Sequence, residues 1–345
     1  MAHLLVEQFR FAKQEWLRGH ENIPADDALK RLGHANSIGW AVGHLAEFDQ
    51  LVWVERVLGE PVTKATKKFG FRRAASTPDL AETMEAWHAI QEKADGVLDT
   101  LTDAGLAESP MMWGKPSGEP VAMWLLRMTW HYWYHLGEMQ AIRQMLGHEN
   151  LPQYVGTIPQ AAQWSNDFSF AQTGAVHPLI EQTQFTKQKW LKGHDELSAA
   201  DGVKQQRNAN SISWMVGHLA GFDQAVWLER PLGIVLNEAV RECGYGRPAS
   251  TPDLDEMMTA WHAIQKHTNT VQNQLTAADM LIHPGESDNQ SPENLGTLIL
   301  RQMWHYWYHL GEMQGIRQSL GHEGLAQYVG GIPKNIRWDV PADRK

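Results

Sequence analysis

The sequence contains a single cysteine, Cys243, among its 345 residues. No disulfide can form within the chain, which favours a reducing, cytoplasmic compartment. Runs of apolar residues long enough to cross a membrane are also missing, and the N-terminal residues alternate between polar and apolar types as no signal peptide does. The sequence therefore predicts a cytoplasmic protein without a membrane partner.

The sequence also has no excess of positive charge. Its 40 acidic and 30 basic residues give a formal net charge of −10, and neither sign forms a long run. A nucleic-acid-binding surface needs a basic patch or stripe, so this class of partner is not expected. A glycine-rich loop of the kind that holds phosphates is missing as well. With 43% hydrophobic residues, the chain is long enough for two globular domains.

Histidine and tryptophan, by contrast, are abundant, and many of them recur at a fixed distance. The ten residues 131–140 occur again, unchanged, at 305–314, an offset of 174 positions. From 131 to 158 the two copies agree at 23 of 28 positions, whereas from 104 to 122 they agree at only 4 of 19. An internal duplication whose loops have diverged explains this pattern. We predict domains at 1–166 and 175–345, joined by a polar linker at 167–174.

Apolar residues at spacings of three and four predict four helices in each copy. The fold class is therefore all-α, with a four-helix bundle in tandem duplication. Glycines and caps place the helix ends, and a long connection after the second helix suits a crossover along the bundle. The expected helices of the first copy run from about His3 to Gly19, from Ser37 to Gly59, from Ser76-Thr77-Pro78-Asp79 to Leu101, and from near Pro120 to Leu146. The second copy follows at the same offset, except that its fourth helix is expected to begin near Pro292.

Three histidines in each copy are candidate metal ligands. His131 and His135 lie one helical turn apart and face the same side of the fourth helix. His44, on the second helix, supplies a third nitrogen. Three histidines with one open position are typical of a catalytic zinc site. The second copy repeats the set as His218, His305 and His309. The competing interpretation is that these are buried histidines which bond to the backbone or to each other.

Glu138, with its equivalent Glu312, is the candidate catalytic residue of each copy. On a helix it shares a face with Arg127, His131 and His135. It could be a fourth ligand, an acceptor for a ring N–H or a general base. A salt bridge with Arg127 or Arg143 is the competing role. Near His44, Glu47 is matched by Gly221, so any catalytic part for Glu47 would be confined to the first copy.

The combination of Asn-Ser-Ile-x-Trp-x-Val-Gly-His-Leu with a later His-x-x-x-His-x-Gly resembles the DinB/YfiT-like metalloenzyme superfamily, here as two tandem copies. The resemblance implies an up-up-down-down four-helix bundle. It also implies zinc or nickel bound by one histidine of the second helix and two of the fourth, which are the six residues named above. Relatives often carry glutamine where Glu138 and Glu312 stand.

The resemblance implies an enzyme that uses a small-molecule substrate, with a low-molecular-weight thiol as the expected partner. S-transfer or isomerisation is the expected reaction, and hydrolysis by activated water is the alternative chemistry. A non-catalytic metal-binding stress-response scaffold is the rival class, with the fourth ligand position closed. A helical interaction module without metal is the third. The tandem copies are expected to form an intrachain pseudo-dimer, and a homo-oligomer is left open.

Overall fold

Helices make up most of the chain in the structure, a computed structural model that describes residues 2–60, 66–70, 73–112, 115–165, 176–285, 291–333 and 336. The all-α prediction is confirmed, and the chain consists of two helical halves. The predicted linker at 167–174 lies outside the described residues, so the domain boundaries stay predictions. No helix in the described part is long and apolar enough to span a membrane.

Four long helices form each half, and they follow each other at the offset seen in the sequence. Short helices and turns, together with one two-stranded antiparallel hairpin, fill the connections. The long helices are α1 Leu4–Gly19, α2 Ile38–Asp49, α3 Leu80–Thr100, α4 Val121–Leu146, α5 Pro178–Gly193, α6 Ile212–Gln224, α7 Leu254–Gln272 and α8 Leu295–Ser319. The short helices are Ala25–Ala28, Asp103–Ala107, Ala199–Gly202 and Arg230–Leu232, the 3-10 turns are Lys67–Phe69, Gln160–Ala162, Ala239–Cys243 and Asp279–Leu281, and the hairpin pairs β1 Met111–Met112 with β2 Lys115–Pro116.

Side-chain caps fix where the site-bearing helices begin. Ser37 caps α2 by accepting from the backbone N–H of Trp40 at 3.1 Å, and Ser211 does the same for α6. The third helix starts slightly later than the sequence suggests. Asp79 is itself the cap of α3, because its carboxylate accepts from the N–H of Glu82, so Pro78 precedes the helix instead of filling its first turn. Asp253 caps α7 in the same way.

The helix that carries the third histidine does not continue as a regular α-helix. After Asp49, residues Gln50–Val57 form a π-helix, and Ala225–Glu229 form the equivalent in the second half. Such wide turns are uncommon and are found frequently at functional sites. Trp53 is fully buried here and donates its indole N–H to Asp49 at 3.1 Å. The altered winding thus directs a large side chain into the core just beyond the site.

The two halves meet along α4 and α8, which form the most extensive helix contact of the described chain. Two tryptophan pairs related by the repeat stack across it. The rings of Trp130 and Trp307 lie 5.4 Å apart, and those of Trp133 and Trp304 lie 5.6 Å apart. All four are fully buried. Stacked aromatic pairs of this kind add about 0.5–1.5 kcal/mol each beyond their buried area.

Two glycines permit the close contact between α4 and α8. At Gly137 a β-carbon would overlap the carbonyl oxygen of Tyr308, and at Gly311 it would overlap that of Tyr134. The two helix backbones therefore touch directly at a reciprocal pair of positions. Because each glycine lies between the second histidine and the glutamate of its helix, the contact and the candidate site share one short segment.

We expect Gly137→Ala to separate α4 from α8 and to lower the free energy of unfolding by about 2 kcal/mol, the usual cost of overpacking. Chemical denaturation followed by far-ultraviolet circular dichroism measures the change. The matched control is Gly315→Ala, since a β-carbon there lies 3.4 Å from the methyl of Ala141 and the equivalent position already holds alanine. Equal stability of the two variants would contradict the backbone contact.

Candidate metal centres

Each half brings its three predicted histidines together into a cluster with room for a metal ion. His44, His131 and His135 form the first cluster, and in each cluster the candidate ligand nitrogens lie within 4.8 Å of one another. The Nε2 atoms of His131 and His135 are 3.0 Å apart. The second cluster repeats this arrangement, since Nε2 of His305 lies 3.0 Å from Nε2 of both His218 and His309.

The opposite ring nitrogens are held by acceptors that set the tautomer. Nδ1 of His44 donates to the carbonyl of Phe69 at 2.7 Å, and Nδ1 of His218 donates to that of Cys243 at 2.8 Å. An imidazole that donates from Nδ1 carries its lone pair on Nε2. Several lone pairs therefore converge at one point, an arrangement that a shared cation stabilises. The residues present fit a metal ion.

The surroundings keep four of the cluster rings, His44, His131, His218 and His305, neutral. Burial, together with the neighbouring His135, lowers the pKa of His44 to about 3, and burial with His309 does the same for His218. Burial and the adjacent histidines likewise lower the pKa of His131 and of His305 well below the usual value. Neutral imidazole is the form that binds metal, so no proton needs to leave these rings at neutral pH.

Glu138 contacts the cluster from behind the ligand ring. Its Oε2 accepts from Nδ1 of His135 at 2.7 Å, on the side of the ring away from the converging nitrogens. Glu312 has the same contact with His309 at 2.5 Å. Of the roles considered for this glutamate, the geometry matches the acceptor that orients a ligand histidine.

The competing salt bridges for Glu138 do not form. Arg127 pairs instead with Glu119 at 2.8 Å, and Arg143 donates to the backbone carbonyls of Gly19 and Glu21. Both arginines are thus committed to other partners, and within the described residues the salt bridge considered as the competing role for Glu138 is not formed.

The two halves also differ in structure around Glu47 and its equivalent, Gly221. The Glu47 carboxylate accepts from the Thr66 hydroxyl at 2.5 Å, and its side chain is not among those that line the cavity over the first cluster. At the equivalent positions, a β-carbon on Gly221 would lie 2.9 Å from the carbonyl of Val240, so no longer side chain fits. A pair of polar side chains in one half is replaced by a close approach of two backbone segments in the other.

A cavity opens beside each cluster, and both halves of the chain line it. Over the first cluster, Gln314, Gln318 and Tyr328 come from the second half. The second cluster is bordered in turn by Gln140, Gln144 and the segment Gln153–Gly156 of the first half. The sequence shows that Gln-Tyr-Val-Gly is kept in both copies but suggests only that it belongs to its own domain. The presence of this motif in both copies is the sequence signal that could have drawn attention to these cavity-lining residues.

The segment over the second cavity is held in a strained conformation by the opposite half. Val155 has a φ of 56°, in the left-handed region that a β-branched residue rarely adopts. Such a conformation costs on the order of 1–3 kcal/mol and needs support from its surroundings. Arg301 gives that support by donating to the carbonyls of Val155 and Gly156.

We expect the metal-free protein to lose stability as the pH falls below about 6.5. Burial lowers the pKa of His20 and of His194 to about 4, so with His44 and His218 four rings stay neutral when folded but take up protons when unfolded. Each should remove up to about 1.4 kcal/mol per pH unit between pH 6.5 and its folded pKa. Denaturation in chelator at several pH values measures this loss.

Two carboxylates oppose this trend. Burial raises the pKa of Asp49 to about 6 and also raises that of Glu47, so protonation of these carboxylates stabilises the folded state as the pH falls toward 4. The four histidines outweigh the two carboxylates, and the net change is a loss. Stability that stays constant from pH 7 to pH 5 would contradict the burial of neutral histidines.

Replacing the glutamate behind the ligand should weaken metal binding while leaving the fold intact. We expect Glu138→Gln to lower the affinity of the first cluster for zinc by about tenfold or more, the usual cost of losing such an acceptor. Competition titration with a chromophoric chelator measures the affinity. Glu47→Gln is the matched control, because that carboxylate contacts Thr66 and no ring of the cluster. Equal losses in both variants would contradict the orienting role.

Comparison with known families agrees with this geometry. The family model described as the DinB superfamily matches residues 8–139 and again residues 171–313. Each match spans one of the two histidine clusters. Neither the curated proteins nor the solved structures include a significant match. The family model covers well over half of the sequence, in two tandem segments, and the chain belongs to the DinB superfamily.

Proposed function

We propose that this protein is a metalloenzyme in which each three-histidine cluster binds one divalent transition metal ion, zinc or nickel. The ligands would be His44, His131 and His135 in the first half, and His218, His305 and His309 in the second. The reaction we propose is thiol-dependent, either S-transfer or isomerisation of a small molecule, with hydrolysis as the alternative chemistry. The converging Nε2 atoms carry this proposal.

The type of donor atom supports zinc or nickel over magnesium or calcium. Imidazole nitrogens suit zinc, copper, iron and nickel, whereas magnesium and calcium prefer oxygen ligands. Three protein ligands beside a cavity leave room for a further ligand, as in catalytic zinc sites. Trp40 stacks on the His44 ring at 4.6 Å, and Trp214 stacks on His218 at 4.7 Å, so each ring is fixed by packing as well as by its hydrogen bond.

An ion bound here would supply positive charge that lowers the pKa of a thiol or water molecule in the cavity. The chain's own residues then have separate tasks. The carbonyl of Phe69 and the carboxylate of Glu138 orient two of the rings from behind. Aromatic side chains, including the half-buried Phe48 at 4.8 Å from the His131 ring, limit the access of water. We propose Glu138 and Glu312 as positioning residues whose carboxylates also border the cavities.

A non-catalytic scaffold is the second candidate, and the position of the glutamate argues against it. That function requires a closed coordination sphere, which Glu138 would fill as a fourth ligand. Its carboxylate instead contacts Nδ1 of His135, behind the ring. The cavity of about 250 Å³ over the first cluster and that of about 830 Å³ over the second are open beside the ligands. Open space beside the ligands favours catalysis.

Elemental analysis of protein purified without a metal-affinity column tests the proposal directly. We expect about two zinc or nickel ions per chain, because each cluster has a complete ligand set. His131→Ala and His305→Ala should each remove about one ion, while His88→Ala, outside both clusters, should remove none.

The outcomes separate the candidates. One ion in the wild-type chain would show that a single half has kept the site. A chain that binds no transition metal, even after dialysis against zinc and nickel, would exclude both the metalloenzyme and the scaffold and leave a helical interaction module. If metal binds but neither thiols nor water react with electrophilic substrates, the scaffold becomes the better description.

A further inference from the structure

The cavity over the second cluster is larger than its counterpart and differently built. It encloses about 830 Å³, against about 250 Å³ over the first cluster, and a further space of about 280 Å³ shares Phe222 and Arg301 with it. Cavities of roughly 300–1,000 Å³ are typical of small-molecule sites. The second site therefore has the dimensions of a substrate pocket.

The residues that line the second cavity include four buried polar atoms that have no hydrogen-bond partner in the described part of the chain. They are the side-chain oxygens of Gln140 and Gln144, the hydroxyl of Tyr154 and the indole N–H of Trp214. Buried polar groups are seldom left unpaired, and a bound ligand is one way to satisfy them. Three of the four belong to the first half, although the cluster belongs to the second.

The first cavity lacks most of these features. Trp40, the equivalent of Trp214, donates its indole N–H to the carbonyl of Ala74 at 3.2 Å. Among the described residues that line this cavity, two have a buried polar atom without a partner, the side-chain oxygen of Gln318 and Nε of Arg127. The two sites thus share their ligands but differ in what surrounds them.

Charge indicates the kind of ligand. Two arginines, Arg247 and Arg301, line the second cavity together with one carboxylate, Glu312, in a chain whose net charge is −10. Arg301 is paired with Glu293. Arg247 is exposed, and within the part of the chain that the structure describes no ion pair engages it. In the first half, the equivalent residue Arg73 lies near the Glu47 carboxylate. In the second half, glycine stands at the position of Glu47, so Arg247 has no equivalent carboxylate near it. A free guanidinium suits a carboxylate or a similar anion.

We propose that the second cavity binds a small molecule with an anionic group such as a carboxylate, and that both halves of the chain form this binding site. Arg247 of the second half binds the anionic group, and Gln140 and Gln144 of the first half hydrogen-bond the remaining polar atoms, whereas the Tyr154 hydroxyl lies beside Gly19 of α1. The inference rests on the proposed function, since it names the substrate class for the second metal centre. It assigns to the first half a role in substrate selection at the other half's metal centre.

Thiols of matched shape test the charge preference. The probes are 3-mercaptopropionate, 2-mercaptoethanol and cysteamine, which have a similar length but are anionic, neutral and cationic. A longer pair, 6-mercaptohexanoate and 6-mercaptohexanol, places the anionic or neutral end group farther from the sulfur atom. The full chain carries His131→Ala, which silences the first site, and is loaded with Co(II). The thiolate-to-cobalt absorption band and calorimetry both report binding without any need for turnover.

We expect the anionic thiol of at least one chain length to bind about tenfold or more tightly than its neutral partner. Arg247→Gln should abolish this preference and leave the affinity for the neutral thiol unchanged within about twofold. Arg73→Gln is the matched control, since that residue lines the silenced site. Equal binding of all the thiols, or a preference that survives Arg247→Gln, would overturn the inference while leaving the metal centre intact.

A second pair of variants tests the contribution of the opposite half. Gln144→Leu should weaken binding of the anionic thiol at the second site by about fivefold, the usual cost of one hydrogen bond. Gln318→Leu, which changes the equivalent residue over the silenced first site, should have no effect. Identical affinities in the two variants would show that the first half contributes no contact to the ligand.

Failure of the proposed function gives a different result. If no thiol produces a cobalt band, the thiol reaction is wrong, and acetate and butyrate are titrated by calorimetry instead. Binding of these anions that depends on Arg247 would sustain the anion site without the thiol. Heats that do not change with Arg247→Gln would overturn it.

Discussion

The direct contact between α4 and α8 is the constraint on which the rest of the structure depends. Gly137 and Gly311 let the two backbones touch, and stacked tryptophans on either side hold the crossing in place. On each helix the glycine follows the second histidine by two residues and precedes the glutamate by one. The geometry of each metal centre is therefore tied to the contact between the halves, because a shift of one helix would move its histidines and its glutamate together.

Residues 131–140 serve both the metal cluster and the contact between the halves. This double role explains why these ten residues are identical in the two copies while neighbouring loops are not. In 131–140, His131, His135 and Glu138 serve the cluster, whereas Trp133 and Gly137 serve the crossing, and Tyr132 reaches the core. Tyr132 accepts from the indole of Trp87 at 2.7 Å and donates to Asp49, and Tyr306 has the equivalent contacts in the second half. A segment with three different sets of partners has few positions that can change without loss. The loop at 104–122 keeps Glu119, and this residue pairs with Arg127.

The helices and the histidine clusters could be predicted because their signals are local or repeated. Periodic apolar residues and the Ser37 cap mark the helices, and the spacing of His131 and His135 marks a shared face. The walls of the cavities could not be predicted, since they depend on how the two halves pack. The repeated Gln-Tyr-Val-Gly marks Tyr154 as a residue kept in both copies, but neither this motif nor the sequence around Gln144 indicates which half's cluster these residues border. The π-helix at Gln50–Val57 could not be predicted either, because its residues are compatible with an ordinary α-helix.

The duplication leaves the ligands alike and lets their surroundings differ, and the direction of that difference can be argued from pairs of residues. Glu47 and Thr66 of the first half stand where the second half has Gly221 and Val240, so the arginine at 247 has no equivalent carboxylate near it. Over the second cluster the Trp214 indole lacks the acceptor that Trp40 has, and the cavity is wider. Together these differences give the second site more room, one more unpaired donor and less negative charge nearby. All three favour a larger, anionic ligand at the second site over the first.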